Sequence, residues 1–583
     1  MEISEKIRTF APSFFHTKTA MKSISFNPRM FSTLRNYDRR TFMTDLMAGI
    51  IVGIVALPLA IAFGIASGVT PEKGIITAII AGFIISFFGG SKVQIGGPTG
   101  AFIVIIYGII QQYGMSGLMI ATIMAGLFLL LLGFFRLGTI IKYIPYPIVV
   151  GFTSGIALTI FTTQIKDLFG LTIDGGVPAD FISKWGAYFM NFGSIDPWST
   201  GVGILSIIII ALTPKFSKII PGSLIAIVVM TLGVYLLKLN GMALSVETIG
   251  DRFSINAQLP HAEVPAMSWV TIKGLISPAI TIAVLGAIES LLSAAVADGV
   301  IGDKHNSNQE LMAQGIANIV CPLFGGIPAT GAIARTMTNI NNGGKTPVAG
   351  VIHAVVLLLI FLFLMPLAKF IPMSCLAGVL VIVSYNMSGW RTFREMFNNP
   401  KSDVGVLIIT FLLTVIFDLT IAIEVGLVLA CLLTMRRMAE TTRVSVITDE
   451  IDPNNDTDAT IHEEPLSVPE GVEVYEINGP YFFGIANKFE EIMSDTRRTK
   501  NPKIRIIRMR KVPFIDSTGL HNLENLVTMC HRQNIRIILS GVNGSVKEDL
   551  MKNHFEDLIK SENICSNINL ALERSRQFLE ELK

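Results

Sequence analysis

Apolar residues occur along this chain in long runs, not in the alternating or one-faced patterns of soluble proteins. A run of about twenty apolar residues predicts a membrane-spanning helix, because a helix of that length crosses a hydrocarbon core about 30 Å thick. The first seven predicted spans lie at about 42–66, 72–90, 98–112, 115–135, 145–169, 196–213 and 221–239. After a polar stretch at 240–267, spans 8 to 14 lie at about 269–298, 307–324, 329–341, 346–365, 370–388, 402–417 and 419–438. The pattern predicts a polytopic α-helical membrane protein with fourteen spans.

Spans 3 and 10 are shorter than a membrane crossing requires, and they begin with similar sequences. GGPTGAF occupies residues 96–102, and GGIPATGAIART occupies residues 325–336. After Pro98 the apolar run reaches Gln111 within about 13 residues, which is roughly 20 Å of helix. Both sequences therefore predict half-helices that the chain enters through an extended Gly/Pro stretch. The alternative is an ordinary Gly-Pro-Thr-Gly loop between two spans.

The two short spans are part of a wider internal similarity. Thr99 and Thr330 are 330 minus 99, or 231, residues apart, and Ala66 and Ala297 have the same separation, since 297 minus 66 is 231. Such a fixed period suggests a repeat of two seven-span halves. Because each half has an odd number of spans, the halves would be inverted, and the two half-helices would meet with their N-termini near the midplane. Unpaired N–H groups and the helix dipoles would favour an anion there.

Composition supports a membrane protein with a soluble appendage and argues against a globular enzyme. The chain of 583 residues is 51% hydrophobic and 15% charged, and its net charge of +2 does not indicate nucleic-acid binding. The five cysteines show neither CxxC nor metal-ligand spacing, so they are interpreted as reduced structural thiols. HExxH, a Walker loop and a nucleophile–base pair are not found, which makes an enzyme the weakest interpretation. No cofactor and no resident metal is predicted.

Basic residues predict the orientation in the membrane. Residues 1–41 form a basic N-terminal segment without an apolar core of signal-peptide length. An even number of spans places both termini on one side of the membrane, and the basic loop residues cluster on that side. These residues are Arg136, Lys142, Lys215, Lys218, Arg391, Arg394, Arg436 and Arg437. By the positive-inside rule both termini are cytoplasmic, and we expect a multi-pass protein of the cell inner membrane, surrounded by lipid.

The chain divides into a transmembrane domain and a C-terminal soluble domain. The transmembrane domain covers 42–440, with repeat 1 at about 42–239 and repeat 2 at about 269–438. Residues 441–466 are acidic and polar and are interpreted as a linker. Residues 467–583 alternate between strands, predicted at VEVYEI, PYFFGI, KIRIIRM and IRIILSG, and helices, predicted near 486–498, 517–532 and 567–582. This alternation predicts a small cytoplasmic α/β domain.

Five sequence motifs together resemble the sulfate permease (SulP) family of anion transporters in its bacterial form. They are GIVALPLAIAFGIASG in span 1, QIGGPTGAF before span 3, GAIESLLSAAVAD in span 8, PATGAIARTMTNINNGGKTPVAG around span 10, and IDSTGLHNL in a C-terminal STAS domain. The resemblance implies a seven-plus-seven inverted repeat in which a core domain (spans 1–4 and 8–11) moves against a gate domain (spans 5–7 and 12–14). It also implies a homodimer and transport of a small anion.

Glu289 is the candidate coupling residue. It lies in the middle of span 8, where an isolated charge costs at least about 2.5–3.5 kcal/mol. Burial favours its protonated form, so it could exchange a proton, and Ser293 lies one helical turn away on the same face. In the family this position is the coupling-ion carboxylate. The alternative is a purely structural carboxylate that accepts from the N–H groups of a half-helix.

Three other carboxylates compete with Glu289 for the coupling role. Glu424 lies in span 14, Asp418 lies at a span corner, and Asp298 lies near the cytoplasmic end of span 8. In the family resemblance span 14 belongs to the gate domain, away from the anion. We therefore rank Glu424 below Glu289.

Arg335 follows the start of the second half-helix by about one turn, so its guanidinium could hold the charge of the substrate. The family has a basic residue at this place. The alternative is an anchor that snorkels to the inner leaflet. The predicted substrate site is completed by backbone N–H groups and apolar walls from Thr99, Gly100, Ala101, Phe102, Gly331, Ala332, Ile333 and Ala334, and by the helix-breaking Pro58, which lies 289 minus 58, or 231, residues before Glu289.

The substrate and the coupling ion stay open at this point. Leu57 and Leu59 flank Pro58 where many sulfate-transporting members carry glutamine after the proline, and this apolar wall resembles the bicarbonate-transporting branch. Sodium-coupled bicarbonate members, however, place threonine where this chain has Ile333 and aspartate where it has Glu289. The loss of one oxygen ligand weakens a sodium site, because hard cations need several oxygens. We therefore expect H⁺ symport of bicarbonate, sulfate or a C4-dicarboxylate. Na⁺-coupled bicarbonate symport with Na⁺ at Glu289, anion exchange and, less favoured, a channel-like conductance are the alternatives.

The STAS domain contains one candidate regulatory site. The sequence Asp516-Ser517-Thr518-Gly519 follows a predicted strand and opens a helix, so Asp516 or Ser517 could be an ordinary N-cap. The same loop resembles the phosphorylation site of anti-sigma-factor antagonists, in which the modified hydroxyl corresponds to Thr518. A phosphate at Thr518 or Ser517 would lie on a helix N-terminus and could change the binding of a cytoplasmic regulator.

Overall fold

The computed structural model divides the chain into two units, Met1–Val428 and Leu429–Lys583, and each unit is described by itself. The residues that the structure describes are 26–35, 37–139, 145–173, 176–178, 180–216, 221–242, 244–255, 258, 260–265, 269–417, 419–447, 450–451, 466–485 and 502–581. Asp418, most of the predicted linker and the helix predicted near 486–498 lie outside these residues.

Helices occupy all fourteen segments that the apolar runs predict. In the first half they are Arg39–Ala66, Pro71–Phe88, Ile103–Phe134 (spans 3 and 4 together), Tyr146–Phe169, Pro197–Phe216 and Gly222–Leu239. In the second half they are Trp269–Ile301, Ser307–Leu323, Ile333–Asn341, Pro347–Ala368, Met373–Ser388, Lys401–Ile416 and Leu419–Thr441. Short helices also occur at Arg29–Leu34, Phe181–Met190, Ile249–Arg252 and Trp390–Glu395, with 3₁₀ turns at Gly100–Phe102, Phe192–Ser194 and Met396–Asn398.

The helical membrane architecture is thereby confirmed, whereas the count of fourteen spans stays a prediction. Within the described part of the chain, 9 helices are long and apolar enough to cross a membrane by length and composition alone. Several of the others are shorter than a crossing, and Ile333–Asn341 has only 9 residues. Ile333–Asn341 is the second predicted half-helix, whereas the first lies within Gly100–Phe134, one of the 9 long helices.

Gly114 separates span 3 from span 4 inside one continuous helical segment. Its φ is +67° and its ψ is −171°, a conformation that L-residues with a side chain rarely adopt. The first part of the segment begins at a 3₁₀ turn, Gly100–Phe102, whose preceding residue Thr99 is extended. The chain therefore runs from an extended entry through a short helix to a break, as the Gly-Pro-Thr-Gly pattern predicts.

Helix packing in the first unit follows the internal repeat. Span 1 packs on span 11, and span 8 packs on the helix that contains span 4. Likewise span 2 packs on span 11, and span 9 packs on span 4. If spans 1, 2 and 4 correspond to spans 8, 9 and 11, these are the same contacts made twice. The pattern is that of a seven-plus-seven inverted repeat.

The remaining spans form a second set of packed helices, which corresponds to the gate. Span 5 packs on spans 12 and 13, and span 6 packs on spans 7 and 12. Glycines permit these approaches, because a Cβ on Gly155 would lie 2.7 Å from Cβ of Thr414, and one on Gly203 would lie 2.7 Å from Cδ1 of Leu168. Two sets of spans, 1–4 with 8–11 and 5–7 with 12–14, therefore make up the core and gate domains.

The second unit is an α/β domain around one five-stranded sheet, whose strands lie side by side in the order in which they occur along the chain. Its strands are β3 (Arg443–Ile447), β6 (Val472–Asn478), β7 (Ile504–Lys511), β8 (Arg536–Ser540) and β9 (Ile564–Cys565), while β4 (Glu450–Ile451) and β5 (Leu466–Ser467) form a separate pair. β3 is antiparallel to β6, and the other neighbours are parallel. Its helices are Ser517–Arg532, Gly544–Lys552, Glu556–Ile559 and Ile568–Glu581. Separate apolar clusters bury the sheet against Leu523 and its neighbours and against Ile568 and its neighbours.

Two details of this domain differ from the sequence prediction. PYFFGI is not a strand, since Tyr481 makes only an isolated bridge to Ile515 before a helical turn. Pro480 has no N–H to donate, and Gly479 has a φ of +130°, so a ladder is not continued there. In addition, residues 443–447, which the prediction placed in the linker, form the edge strand β3. The alternation Val-Ser-Val is typical of a strand, but the acidic stretch beside it obscured that signal.

A glycine contact between spans 4 and 9 gives a test of this packing. A Cβ on Gly126 would lie 2.7 Å from the carbonyl oxygen of Gly315 and 2.9 Å from the backbone nitrogen of Ile319. We expect Gly126→Val to destabilise the protein by about 1–3 kcal/mol, because the backbone cannot yield without strain. Thermal melting followed by size-exclusion chromatography in detergent measures the change. Gly233→Val is the matched control, because a Cβ at Gly233 meets nothing within 4 Å; equal melting midpoints for both variants would contradict the predicted contact.

Candidate functional site

The entry stretches of the two half-helices cross at the centre of the first unit. Gly96 and Gly97 form strand β1, Thr330 and Gly331 form strand β2, and the two strands pair antiparallel. Gly96 is the partner of Gly331, and Gly97 is the partner of Thr330. Because each half-helix begins directly after its strand, both helix N-termini lie beside this crossing.

Glycine is required at the crossing, because side chains fill the space around it. A Cβ on Gly331 would lie 1.6 Å from Nε2 of Gln94, and a Cβ on Gly97 would lie 2.0 Å from Nη1 of Arg335. Gly97 also has a φ of +153°, which favours glycine. The crossing is extended by the Ala332 N–H, which donates to the Ile95 carbonyl at 2.9 Å. The repeated glycines are therefore a packing requirement of the site.

The predicted backbone donors differ in how they are used. The Thr99 hydroxyl accepts from the Ala101 N–H at 3.3 Å, so Thr99 caps the first half-helix. Phe102 is buried beneath it. In the second half-helix the N–H groups of Ile333 and Ala334 belong to the first helical turn and donate to no acceptor among the described residues. Both residues are exposed. These two N–H groups are therefore free donors at the helix N-terminus.

Arg335 lies inside the crossing and not at the membrane surface. Its side chain is buried, and Nη2 donates to the Pro98 carbonyl at 3.1 Å, which links the second half-helix to the entry of the first. Among the described residues Nη1 has no hydrogen-bond partner. A surface anchor would reach outward to water, so the snorkelling alternative does not describe this guanidinium.

Glu289 and Ser293 lie on the same helix but contact different partners. Glu289 is half-buried, and its carboxylate lies near the hydroxyl of Thr99, the cap of the first half-helix. It also borders a cavity of about 50 Å³ lined by Phe152 and Thr153 of span 5 and by Leu427 of span 14. The hydroxyl of Ser293 donates instead to Oγ1 of Thr336 in the second half-helix, at 3.3 Å. The carboxylate is therefore next to the first half-helix, and the serine is next to the second.

The other residues considered from the sequence lie away from this arrangement. Glu424 is exposed and accepts from the Ser277 hydroxyl at 3.2 Å. Asp298 accepts from the backbone N–H of His305 at 2.8 Å and contacts its ring, so it closes the turn between spans 8 and 9. Pro58 is buried in span 1, but the residue of span 1 that approaches Gly100 is Phe63.

Sequence reasoning missed a buried polar network that supports the first entry stretch. The Glu310 carboxylate of span 9 accepts from the N–H groups of Gly90 and Ser91, at 2.8 and 3.2 Å, and from the Ser290 hydroxyl. The amide of Gln314 donates to the same carboxylate at 3.1 Å. Glu310 and Gln314 are four residues apart inside a predicted span, and that spacing was the signal available in the sequence.

A larger cavity of about 530 Å³ leads from one membrane side towards the crossing. Its outer part is lined by the ends of spans 1, 3 and 5 and by Arg252, and its inner part reaches Ile103 of the first half-helix and Leu380 of span 12. We refer to this space as the vestibule. It lies between core and gate helices at the end of span 1 opposite to Arg39. Across the described residues, no group of three His, Cys, Asp or Glu side chains could hold a metal ion.

The regulatory loop of the second unit has a defined cap. Asp516 accepts from the Gly519 N–H at 2.7 Å and from the Phe483 N–H at 3.1 Å, so the N-cap is Asp516 and not Ser517. Ser517 and Thr518 are exposed beside it. Their hydroxyl groups are accessible to a modifying enzyme.

An inverted repeat of helices whose two half-helices meet at the centre is the architecture of a secondary transporter. Residues 42–410 match the sulfate permease family, and residues 465–571 match the STAS domain. Since the first match covers more than half of the chain, this protein belongs to the sulfate permease family and is an anion transporter with a C-terminal STAS domain. The family resemblance is thereby confirmed, and so is the prediction that the protein is not an enzyme, since the relatives are transporters.

Similar proteins include transporters named for two different anions. YvdB of Bacillus subtilis strain 168, which has a provisional sulfate-transporter name, is 41% identical over 526 residues, covering 90% of this chain and 96% of that protein. The bicarbonate transporter BicA of Picosynechococcus sp. strain PCC 7002 is 30% identical over 526 residues, covering 88% of this chain and 91% of that protein. The names of these relatives therefore do not select one anion.

Solved structures share the fold. Murine Slc26a9, an anion transporter captured in the inward-facing state, matches with a TM-score of 0.84 at 18% identity, covering 99% of this chain and 98% of that one. The transmembrane domain of a cyanobacterial BicA matches with a TM-score of 0.59 at 29% identity, covering 68% of this chain and 98% of that one. The first likeness shows the fold alone.

Glu310 provides a test of the network under the first half-helix. In Glu310→Ala the N–H groups of Gly90 and Ser91 lose a buried acceptor, and we expect a loss of stability of about 2 kcal/mol or more. Thermal melting of the purified protein measures this loss. Glu395→Ala, which removes an exposed glutamate from the same unit, is the control and should leave the midpoint nearly unchanged. If Glu310→Ala melts like the control, the carboxylate does not support the entry stretch.

Proposed function

We propose that this protein is a secondary active transporter that carries bicarbonate, sulfate or a C4-dicarboxylate together with H⁺ by alternating access. The observation that carries the proposal is the antiparallel crossing of β1 and β2, which brings both half-helix N-termini and Arg335 to one place. Two helix dipoles and a guanidinium concentrate positive charge where lipid is excluded. A small group of negative oxygens is the ligand class that fits this charge.

The substrate site in this proposal consists of the residues around the crossing. The N–H groups of Ile333 and Ala334 are the reachable donors, and Nη1 of Arg335 is the remaining positive donor. Thr99 and Phe102 border the same place from the first half-helix. The rest of the predicted set, Pro58, Gly100, Ala101, Gly331 and Ala332, shapes the backbone and the apolar wall. All three anions present compact oxygens, so this set does not choose among them.

Glu289 is the coupling residue in this proposal, and its position suggests how coupling works. Its carboxylate lies near Thr99, the cap of the first half-helix, while its side chain borders a small cavity lined by spans 5 and 14. A charged carboxylate resists sliding along the apolar wall formed by Phe152 and Leu427, because it would be desolvated. Protonation removes that cost. The gate would therefore move past the loaded, neutral Glu289 more readily than past the ionised one.

Sodium coupling is the second candidate, because the family resemblance includes sodium-coupled bicarbonate members. Glu289 and Ser293 would have to share the ion, yet Ser293 donates to Thr336 and Ile333 offers no hydroxyl. Fewer oxygen ligands weaken a site for a hard cation. H⁺ coupling therefore stays the preferred proposal over Na⁺ symport and over exchange, and a channel-like conductance is the least favoured. We further propose a homodimer in the inner membrane with both termini in the cytoplasm.

Uptake into proteoliposomes tests the coupling proposal. With labelled bicarbonate, sulfate and fumarate, no sodium and an inward acid gradient, wild type should accumulate one anion above equilibrium. Glu289→Gln cannot release a proton, so it should lose at least about 90% of this accumulation while still exchanging anion across equal pH. Glu424→Gln is the matched control, since it makes the same chemical change at an exposed glutamate of span 14.

Two outcomes would contradict this assignment. If accumulation requires added sodium, H⁺ is not the coupling ion. If Glu424→Gln abolishes accumulation and Glu289→Gln does not, the coupling carboxylate is the wrong one. Downhill flux without accumulation under any gradient would indicate a channel-like conductance, because a channel cannot concentrate its substrate.

A regulatory role for the STAS loop is a separate proposal. Ser517 and Thr518 are exposed at the N-terminus of a helix of 16 residues, where a phosphate is favoured by the helix dipole. We expect mass spectrometry of protein from its native host to find phosphate on Thr518 or Ser517, and Thr518→Ala to lose the major modified peptide. Protein isolated under several growth conditions without any modification of this loop would leave the proposal unsupported.

A further inference from the structure

One charged residue in the vestibule is not used by the transport site. Lys184 lies on the helix Phe181–Met190, which covers the outer end of span 5, and its side chain is 6% exposed. It lines the vestibule, together with Tyr188 one turn further along the same helix. Tyr188 is 3% exposed, and within the described residues its hydroxyl has no hydrogen-bond partner. A buried ammonium group and a buried, unpartnered hydroxyl therefore belong to side chains on the wall of the same cavity.

Three of the other charged residues of the vestibule have hydrogen-bond or ion-pair partners. Arg252 contacts both carboxylate oxygens of Asp167, at 2.8 and 3.2 Å, and also pairs with Glu247. Asp180 accepts from the Ser183 N–H at 2.8 Å and caps the helix that carries Lys184. The remaining cations that line the vestibule are Lys166, which is half-buried, and Lys184. The side chains that line the vestibule therefore carry three positive charges (Lys166, Lys184 and Arg252) and two negative charges (Asp167 and Asp180).

Burial shifts the titration of both residues towards their neutral forms. Burial lowers the pKa of Lys184, and the Asp180 carboxylate offsets this effect in part. Burial also raises the pKa of Tyr188, so its hydroxyl is a donor at neutral pH. An anion between them would accept from both groups and would compensate the buried ammonium charge.

We propose that Lys184 and Tyr188 form an oxyanion site in the vestibule, separate from the crossing, that receives sulfate or bicarbonate before it reaches the half-helices. This inference rests on the proposed function for the identity of the anion. The same cavity extends from this site to Ile103 at the first half-helix, so an anion released here has a continuous path inward. Lys184 then increases the local anion concentration and the rate of entry.

Transport kinetics provide the first test. With sulfate or bicarbonate supplied on the vestibule side, Lys184→Gln should raise KM by about five- to tenfold and lower the maximal rate much less. Tyr188→Phe should raise KM by a smaller factor, and Lys184→Arg should stay near wild type because it keeps the charge. Lys273→Gln is the matched control, since Lys273 is exposed on the same membrane side and does not line the vestibule. An unchanged KM in Lys184→Gln would overturn the proposal.

A local binding signal separates this site from transport itself. Trp185 lies between the two residues and contacts the Tyr188 ring, with centroids 5.9 Å apart. A full-length variant in which Trp198, Trp269 and Trp390 are replaced by Phe reports on Trp185 alone. Titration with sodium sulfate at constant ionic strength should give a saturable fluorescence change that Lys184→Gln abolishes.

The two measurements together distinguish the possible failures. If Trp185 titrates with sulfate but no oxyanion is transported, the vestibule site stands and the proposed function fails. If oxyanion transport is intact while the Trp185 signal is absent, or is the same in Lys184→Gln, the site is refuted and the proposed function stands.

Discussion

The antiparallel pairing of β1 and β2 is the constraint on which the site depends. Inside a membrane an extended stretch must find partners for its backbone groups, because lipid offers none. Gly96 and Gly97 satisfy this need with Thr330 and Gly331, and Glu310 satisfies the stretch just before them. Once the strands are paired, the half-helices that follow have to begin side by side. Positive charge at the centre is a consequence of this pairing.

The same constraint explains where the polar residues of the core lie. Buried polar groups require partners, and around the crossing these partners come from spans 8 and 9 and from the second half-helix. Gln94 bonds to Ser290, Ser293 bonds to Thr336, and Arg335 reaches the Pro98 carbonyl. The Gln94–Ser290 and Arg335–Pro98 contacts join the two repeats, whereas the Ser293–Thr336 contact joins spans 8 and 10 within repeat 2. The inverted repeat is therefore one interlocked core, and in the proposed alternating-access mechanism the gate helices move relative to it.

Glu289 and the vestibule both lie at the boundary between the core helices and the gate helices. The Glu289 side chain borders the same small cavity as Phe152 and Leu427 of the gate, whereas the vestibule lies open between the same two sets of helices on one side. Lys184 and Tyr188 stand on the vestibule wall formed with span 5, a gate helix. An anion held there would be bound mainly by the gate, and at the crossing it would be bound mainly by the core.

The sequence by itself determined the positions of the helices, the two half-helices and the candidate role of Glu289, because run length, Gly/Pro breaks and a mid-span charge are local signals. Tertiary structure decided the rest. The pairing of Gly96 with Gly331, the contact of Arg335 with Pro98, the partner of Ser293 and the support from Glu310 join residues that lie far apart in the chain. The edge strand β3 was likewise identified only by its pairing with β6. Strand formation depends on the neighbouring strand, and the local sequence does not show which strand that is.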